Sequence, residues 1–545
     1  VIEFKAHSSA DRADLPLPAL DEMTDDDLIS FLTAWTPTGR WDDPDRDDLR
    51  QRVQAAAAAD PRRFAALAPR FLDLDPTYAR GLLKGLRQAI ECADDQQGSA
   101  TASIADWQPV LDFAAASLAQ PAQLPGRPIQ GDGEQDPGWN WAWQEVAELL
   151  TAGLRSDIPQ ANLEQALAVI SQLLDADDST DDDGPPFETA INSIGGNAWI
   201  ALLQYAIRLH NPAAPALDAT VRRLLEKHLD PARRSNSPIR SLYGYKIHLL
   251  AALDEQWTRQ HLEEIFPDVA KPGIASAAWN AYLLYGRLTV ETATLLQPLY
   301  ERHAMSLSHA PETAPPIEGA QHEQPEDCLL SHLGLLYRDG VIPQHAGWLA
   351  DFFNHAPLRL RARLIEHIGW QLHSMDQLDQ DQTNRLKALW EKRRDAATQA
   401  GGDAAELAGF GHWFSSGKLP DAWALDQLNQ AVAAGTRLAS CDDIAERLAT
   451  LGADELAESV TAIAGLVDAP DRPWFISSAR TSISAVLRNG LQAADPETRR
   501  IADQTVSRLV ARGHSNFGSL TGATAGGGDQ PPVTADPIED AADGG

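Results

Sequence analysis

"DPTYARGLLKGLRQAIECA", residues 75–93, decides the fold class. Asp75 has the short acceptor side chain that caps a helix, and Pro76 suits the first helical position, where no amide bond is lost. Leu82, Leu83, Leu86 and Ile90 then recur at helical spacing, so one face is apolar. "DPGWNWAWQEVAELLTAGL" (136–154) reads the same way. Asp136 is the cap, Pro137 enters, and Trp139, Trp143, Val146, Leu149 and Leu150 form the stripe. The pattern returns in "NLEQALAVISQLL" (162–174), "LDATVRRLLEKHL" (217–229), "SPIRSLYGYKIHLLAAL" (237–253), "LRLRARLIEHIGWQL" (358–372) and "DELAESVTAIAGLV" (454–467).

About twenty such segments, mostly of roughly 12 to 20 residues, follow one another across short Pro, Gly or Asp breaks. No window alternates apolar and polar residues as a strand would, and no βαβ order is visible. The expected fold is all-α: an α-solenoid of degenerate antiparallel helix pairs, HEAT- or armadillo-like, in which each pair buries its apolar face against its neighbours. No tetratricopeptide or ankyrin signature and no strict period is present.

Of 545 residues, 43% are apolar, which is enough for a large core, and 15 of the 36 aromatic residues are Trp. Lys and Arg number 45 against 78 Asp and Glu, a net charge of -33. That field repels nucleic acid and anionic membranes at long range. No apolar run approaches the roughly 20 residues that span a bilayer, and the start, "VIEFKAHSS", has no signal-peptide pattern. Cys92, Cys328 and Cys441 are far apart, so no disulfide framework is implied and a cytoplasmic location is expected. A chain beginning at Val1 reads as part of a longer protein. The expected organisation is a flexible 1–23, a helical-repeat region 24–307, a Pro-rich linker 308–327, a second helical region 328–515 and a disordered acidic tail 516–545. Loops are expected at 126–138 and 175–188.

Chemistry-bearing motifs are few. Gly195 and Gly196 in "ETAINSIGGNAWIALLQYAIR" (188–208) lack the Lys and Ser/Thr of a phosphate-binding loop, and read as a helix start capped by Asn192 or Ser193. In "WNWAW" the pair Trp139 and Trp143 shares one helix face and reads as core, whereas Trp141 points elsewhere and is a contact candidate. Nine of the fifteen histidines fall between His303 and His412. Cys328 and His332 are four apart, but no second ligand pair at zinc spacing follows. Arg233, Arg234, Arg240 and Lys246, and then Arg359, Arg361 and Arg363, form local basic patches. Such patches either bind an acidic ligand or pair with the abundant carboxylates. No nucleophile-elbow, kinase or dinucleotide motif is present. No catalytic residue, cofactor or metal is therefore expected.

"SPIRSLYGYKIHLLAALDEQWTRQHLEEIFP" (237–267), "AAWNAYLLY" (277–285) and "LAGFGHWFSSGKLPDAWALDQL" (407–428) resemble the helical C-terminal region of large multidomain bacterial proteins. Residues 136–154 and 188–210 are similar to the same region. The resemblance implies a helical region downstream of an ATP-binding or effector module, of the kind found in signal-transducing NTPases and phage-defence proteins. It carries over no catalytic residue. The expected function is thus a non-catalytic interaction or sensing region that binds a protein partner, with Trp141, Arg240 and Tyr243 as contact candidates. Intramolecular contact with an upstream domain is also expected. The alternatives are a helical hydrolase or transferase with a His–carboxylate site within 303–412, and nucleic-acid binding through the Arg patches.

Overall fold

Asp75 does cap a helix: its Oδ1 accepts the Thr77 amide at 3.0 Å, the helix Pro76–Asp95 follows, and Leu82, Leu83, Leu86 and Ile90 are all buried. The structure is a computed structural model. It describes residues 17–37, 43–95, 104–127, 136, 138–176, 184–230, 236–267, 272–310, 324–469 and 473–521. Among these every regular element is an α- or 3-10 helix.

The chain divides into two units, residues 1–295 and 296–545. In the first, six helices pack each on the next: α1 (Arg46–Ala59), α2 (Pro76–Asp95), α3 (Asn140–Ser156), α4 (Ile194–Leu209), α5 (Asn236–Tyr245) and α6 (Pro272–Tyr285). A second set, Pro61–Leu67, Gln108–Ser117 and Leu163–Asp175, does the same, and its last member packs on α4. In the second unit α7 (Pro325–Arg338), α8 (Leu358–His373), α9 (Phe410–Ser415), α10 (Cys441–Thr450) and α11 (Arg480–Leu491) repeat this neighbour-to-neighbour order. The 308–327 stretch expected as a linker lies in the second unit. Its residues 311–323 are outside the described ones, and 325–327 already belong to α7.

The tilt toward Trp serves the seams between helices. Trp107, Trp199, Trp257, Trp390 and Trp413 are fully buried. A large indole fills a seam, and its N–H then needs an acceptor. Trp107 finds Asp157 Oδ2 at 2.9 Å, Trp257 finds Glu226 at 3.1 Å, Trp390 finds Gln427 at 3.2 Å, and Trp413 finds the Ile365 carbonyl at 2.7 Å; Trp199 Nε1 is the exception, with no acceptor among the described residues.

The glycine pair is a packing device. Ser193 caps α4, its Oγ accepting the Gly196 amide at 2.9 Å, and Asn197 donates to the Ile191 and Ser193 carbonyls. A Cβ at 196 would overlap the Ala190 carbonyl oxygen at the end of the helix Pro186–Ile191. Backbone contact there excludes any larger residue at 196.

Several expectations need correction. Asp136 does not cap α3, which starts at Asn140 behind Trp139 with no side-chain cap; Asp136 is held elsewhere, and Pro137 lies outside the described residues. The 237–253 segment breaks at Lys246 into Asn236–Tyr245 and Ile247–Leu253. Within 1–23, Leu20 is buried and Arg63 binds the Asp21 and Met23 carbonyls; residues 1–16 are outside the described ones. The stretch Ser515–Thr521 is a 3-10 helix with Phe517 buried, and the expected tail beyond it, 522–545, also lies outside them.

Candidate functional site

Of the three contact candidates, the structure leaves only Trp141 at the surface. Arg240 is 2% exposed and donates to the Leu229 carbonyl; Tyr243 is fully buried and donates to the Leu225 carbonyl. Both tie α5 to the helix Ala219–Leu229, and this burial places them out of a partner's reach. The basic patches are paired internally. Arg359 meets Glu326, Arg361 meets Glu406 and Arg363 meets Asp327, and the Lys246 ammonium lies 3.9 Å from the Tyr245 ring centroid. Arg233 and Arg234 lie outside the described residues.

Trp141, 39% exposed, is clamped. The Arg80 guanidinium stacks on its ring at 4.9 Å, and Arg80 is fixed in turn by Asp136 at 2.5 Å. Asp136 is 3% exposed. Its amide donates to Thr77 Oγ1, and its carbonyl accepts from Arg127, which also pairs with Asp75 at 2.5 Å. Asp136 Oδ2 has no hydrogen-bond partner among the described residues. Burial pushes the Asp136 carboxyl up to about 6, against the pull of Arg80 and then Arg50.

The second unit holds a counterpart on α8. Trp370 is 41% exposed and has the Arg363 guanidinium stacked on it at 4.7 Å. Arg363 is fixed by Asp327 at 3.0 Å and Glu366 at 2.9 Å. The indole N–H donates to His412 Nε2 at 2.9 Å, and the His367 ring meets Trp370 edge-on at 5.3 Å. Glycines permit this approach: a Cβ at Gly369 would lie 2.6 Å from that of His412, and one at Gly411 would overlap the Ala439 carbonyl oxygen.

His412 also reaches Ser440, whose Oγ is 3.0 Å from Nδ1. Ser440 has φ 49° and is the one non-glycine residue at positive φ among those described. It stands at the cap of α10, but its hydroxyl serves His412 and makes no cap bond. Indole N–H is donor only, so His412 Nε2 must be the acceptor and Nδ1 carries the proton. His412 therefore donates to Ser440 and cannot take its proton; the arrangement is a latch on Trp370, not a nucleophile and its base. Burial holds the His412 pKa below its usual 6.5, opposed by Glu366 at 3.8 Å and by Asp443 and reinforced by His373. His367 is lowered by burial and Arg363.

The 303–412 histidines thus converge in part. His367, His373 and His412 gather around Trp370, and His373 reaches Ser415 at 3.3 Å. His332 is buried apart from them on α7, bonded to the Tyr300 hydroxyl at 2.8 Å, with its pKa pushed down to about 4 by burial. Cys328 is buried on the same helix. His322 lies outside the described residues. Among those described, no three His, Cys, Asp or Glu are placed to hold a metal ion, and no helix is long and apolar enough to cross a membrane. Trp370 carries no motif; its only mark in the sequence is the run Arg363, His367, Trp370 at helical spacing on one face. No family model matches the chain, and comparison with curated proteins finds no match either.

Proposed function

We propose that the chain is a non-catalytic helical-repeat interaction region of a larger bacterial cytoplasmic protein, an α-solenoid that binds a protein partner through pre-set tryptophans. The neighbour-to-neighbour helix order within each unit supports the solenoid reading. The observation that carries the functional one is the repeated clamp: an exposed Trp, a stacked Arg, and carboxylates that fix the Arg, once at Trp141 and once at Trp370. Trp and Arg dominate the energetics of protein interfaces, and an aromatic already held in place loses little entropy on binding. The partner would offer an apolar or cationic side chain to the open part of each indole.

The test is retention of proteins from a bacterial extract by wild-type chain, Trp141→Ala and Trp370→Ala, each verified as folded by circular dichroism. A protein retained by wild type and lost by at least one variant is expected. Identical retention by all three would contradict the assignment.

A further inference from the structure

A cleft of about 750 Å³ opens in the first unit, and all of its lining belongs to residues 248–295. Its floor is apolar, built by Leu249, Ala251, Ala252 and Leu295. Val290, on the short helix Val290–Leu295, is 57% exposed on the same cleft.

The polar groups around this floor are not equivalent. Glu255 is engaged by Arg259 at 2.7 Å. The local backbone, and then Thr289, hold Glu291 by hydrogen bonds and draw its pKa below the usual carboxylate value. Arg287 lines the cleft with no carboxylate in ion-pair range among the described residues, in a chain whose acids outnumber its bases by 33. His248 Nδ1 is buried there without a hydrogen-bond partner among the described residues. Burial holds the His248 pKa below its ordinary value, and Lys246 and Arg287 add to the effect. An apolar floor beside one unpaired guanidinium and one orphaned ring nitrogen is the pattern of a small-molecule pocket, in which a few polar groups orient an apolar body.

We infer that this cleft binds a small amphipathic carboxylate, its aliphatic or aromatic body on the Leu249–Leu295 floor and its carboxylate on Arg287. The guanidinium matches a carboxylate with two parallel N–H bonds. A cationic head would meet Arg287 and be repelled by its charge.

Decanoate is the probe, titrated calorimetrically into the chain, with 1-decanol and decylammonium as neutral and cationic controls. Saturable binding of one decanoate per chain is expected, at least tenfold tighter than either control. Arg287→Gln should weaken decanoate at least tenfold and leave decanol unchanged. Arg287 is exposed, so this variant is not expected to disturb folding, and circular dichroism would verify that. Leu249→Asp should weaken both decanoate and decanol. Absence of decanoate binding at about 1 mM, a typical weak-ligand concentration, would overturn the proposal. So would equal binding of decylammonium, or binding indifferent to Arg287→Gln.

Discussion

The two clamped tryptophans solve one problem with different chemistry. At Trp141 the clamp ends in a buried carboxylate, Asp136, which also bonds through its backbone to Thr77 and Arg127. At Trp370 the carboxylates are half-buried, and the partner is a half-buried imidazole, His412, whose Nε2 accepts the hydrogen bond of the indole N–H. Removing water from a carboxylate raises its pKa, whereas removing it from an imidazole lowers it. The first clamp is therefore part of the unit's framework, and the second is a latch that a proton can open.

The largest effect expected from this difference is Asp136→Ala. It strands Arg80 and empties a buried site, so at about pH 5, before the carboxyl ionises, unfolding should become easier by about 3 kcal/mol, the upper end of the cost of leaving a buried donor unpaired. Segment-resolved hydrogen exchange should show the loss in α2 and α3. A change as small as that of a surface pair would reduce the first clamp to decoration.

Acidification should separate the units next. Folded Asp136 holds its proton more tightly than the unfolded chain does. Its contribution is thus in place below about pH 3.8 and is lost as the pH rises through about 6. His332 has the opposite sign: its contribution is in place above 6.5 and is lost as the pH falls through about 4, amounting to roughly 3 kcal/mol at the acid end. Between pH 6.5 and 4, exchange protection around α7 and α8 should fall more steeply than around α2 and α3. Parallel loss in both units would contradict these assignments.

A smaller effect is expected of His412→Ala, about 1 kcal/mol for the lost hydrogen bonds, with Trp370 freed and its fluorescence more readily quenched by iodide. Protonating His412 should do the same in the wild type, because Nε2–H would then face the indole N–H, with Glu366 the acceptor within reach. The smallest is Ser440→Gly, expected within about 0.5 kcal/mol of wild type. Relief of the left-handed backbone offsets the lost bond to His412.

Helix class was legible because apolar spacing survives without any tertiary information: Leu82, Leu83, Leu86 and Ile90 lie where the period puts them. The tryptophan division was legible too, with Trp139 and Trp143 buried and Trp141 exposed. Arg240 and Tyr243 were not legible as interior residues. Periodicity assigns residues to faces, but α5 is covered on more than one face, and both side chains bury their stems while bonding carbonyls of another helix. Asp136 misled for a related reason: a capping residue type does not reveal that Arg80, 56 positions away, has claimed it. The Trp370 latch depends on contacts 42 residues apart in sequence, beyond any local pattern.

The most direct test of the account places a photo-crosslinking amino acid at position 141 or 370 of the chain in bacterial cells, with exposed position 510 as the comparison. The account requires a discrete protein adduct from 141 or 370 that is absent from 510. No adduct at either tryptophan position, or the same adducts at all three, would contradict it.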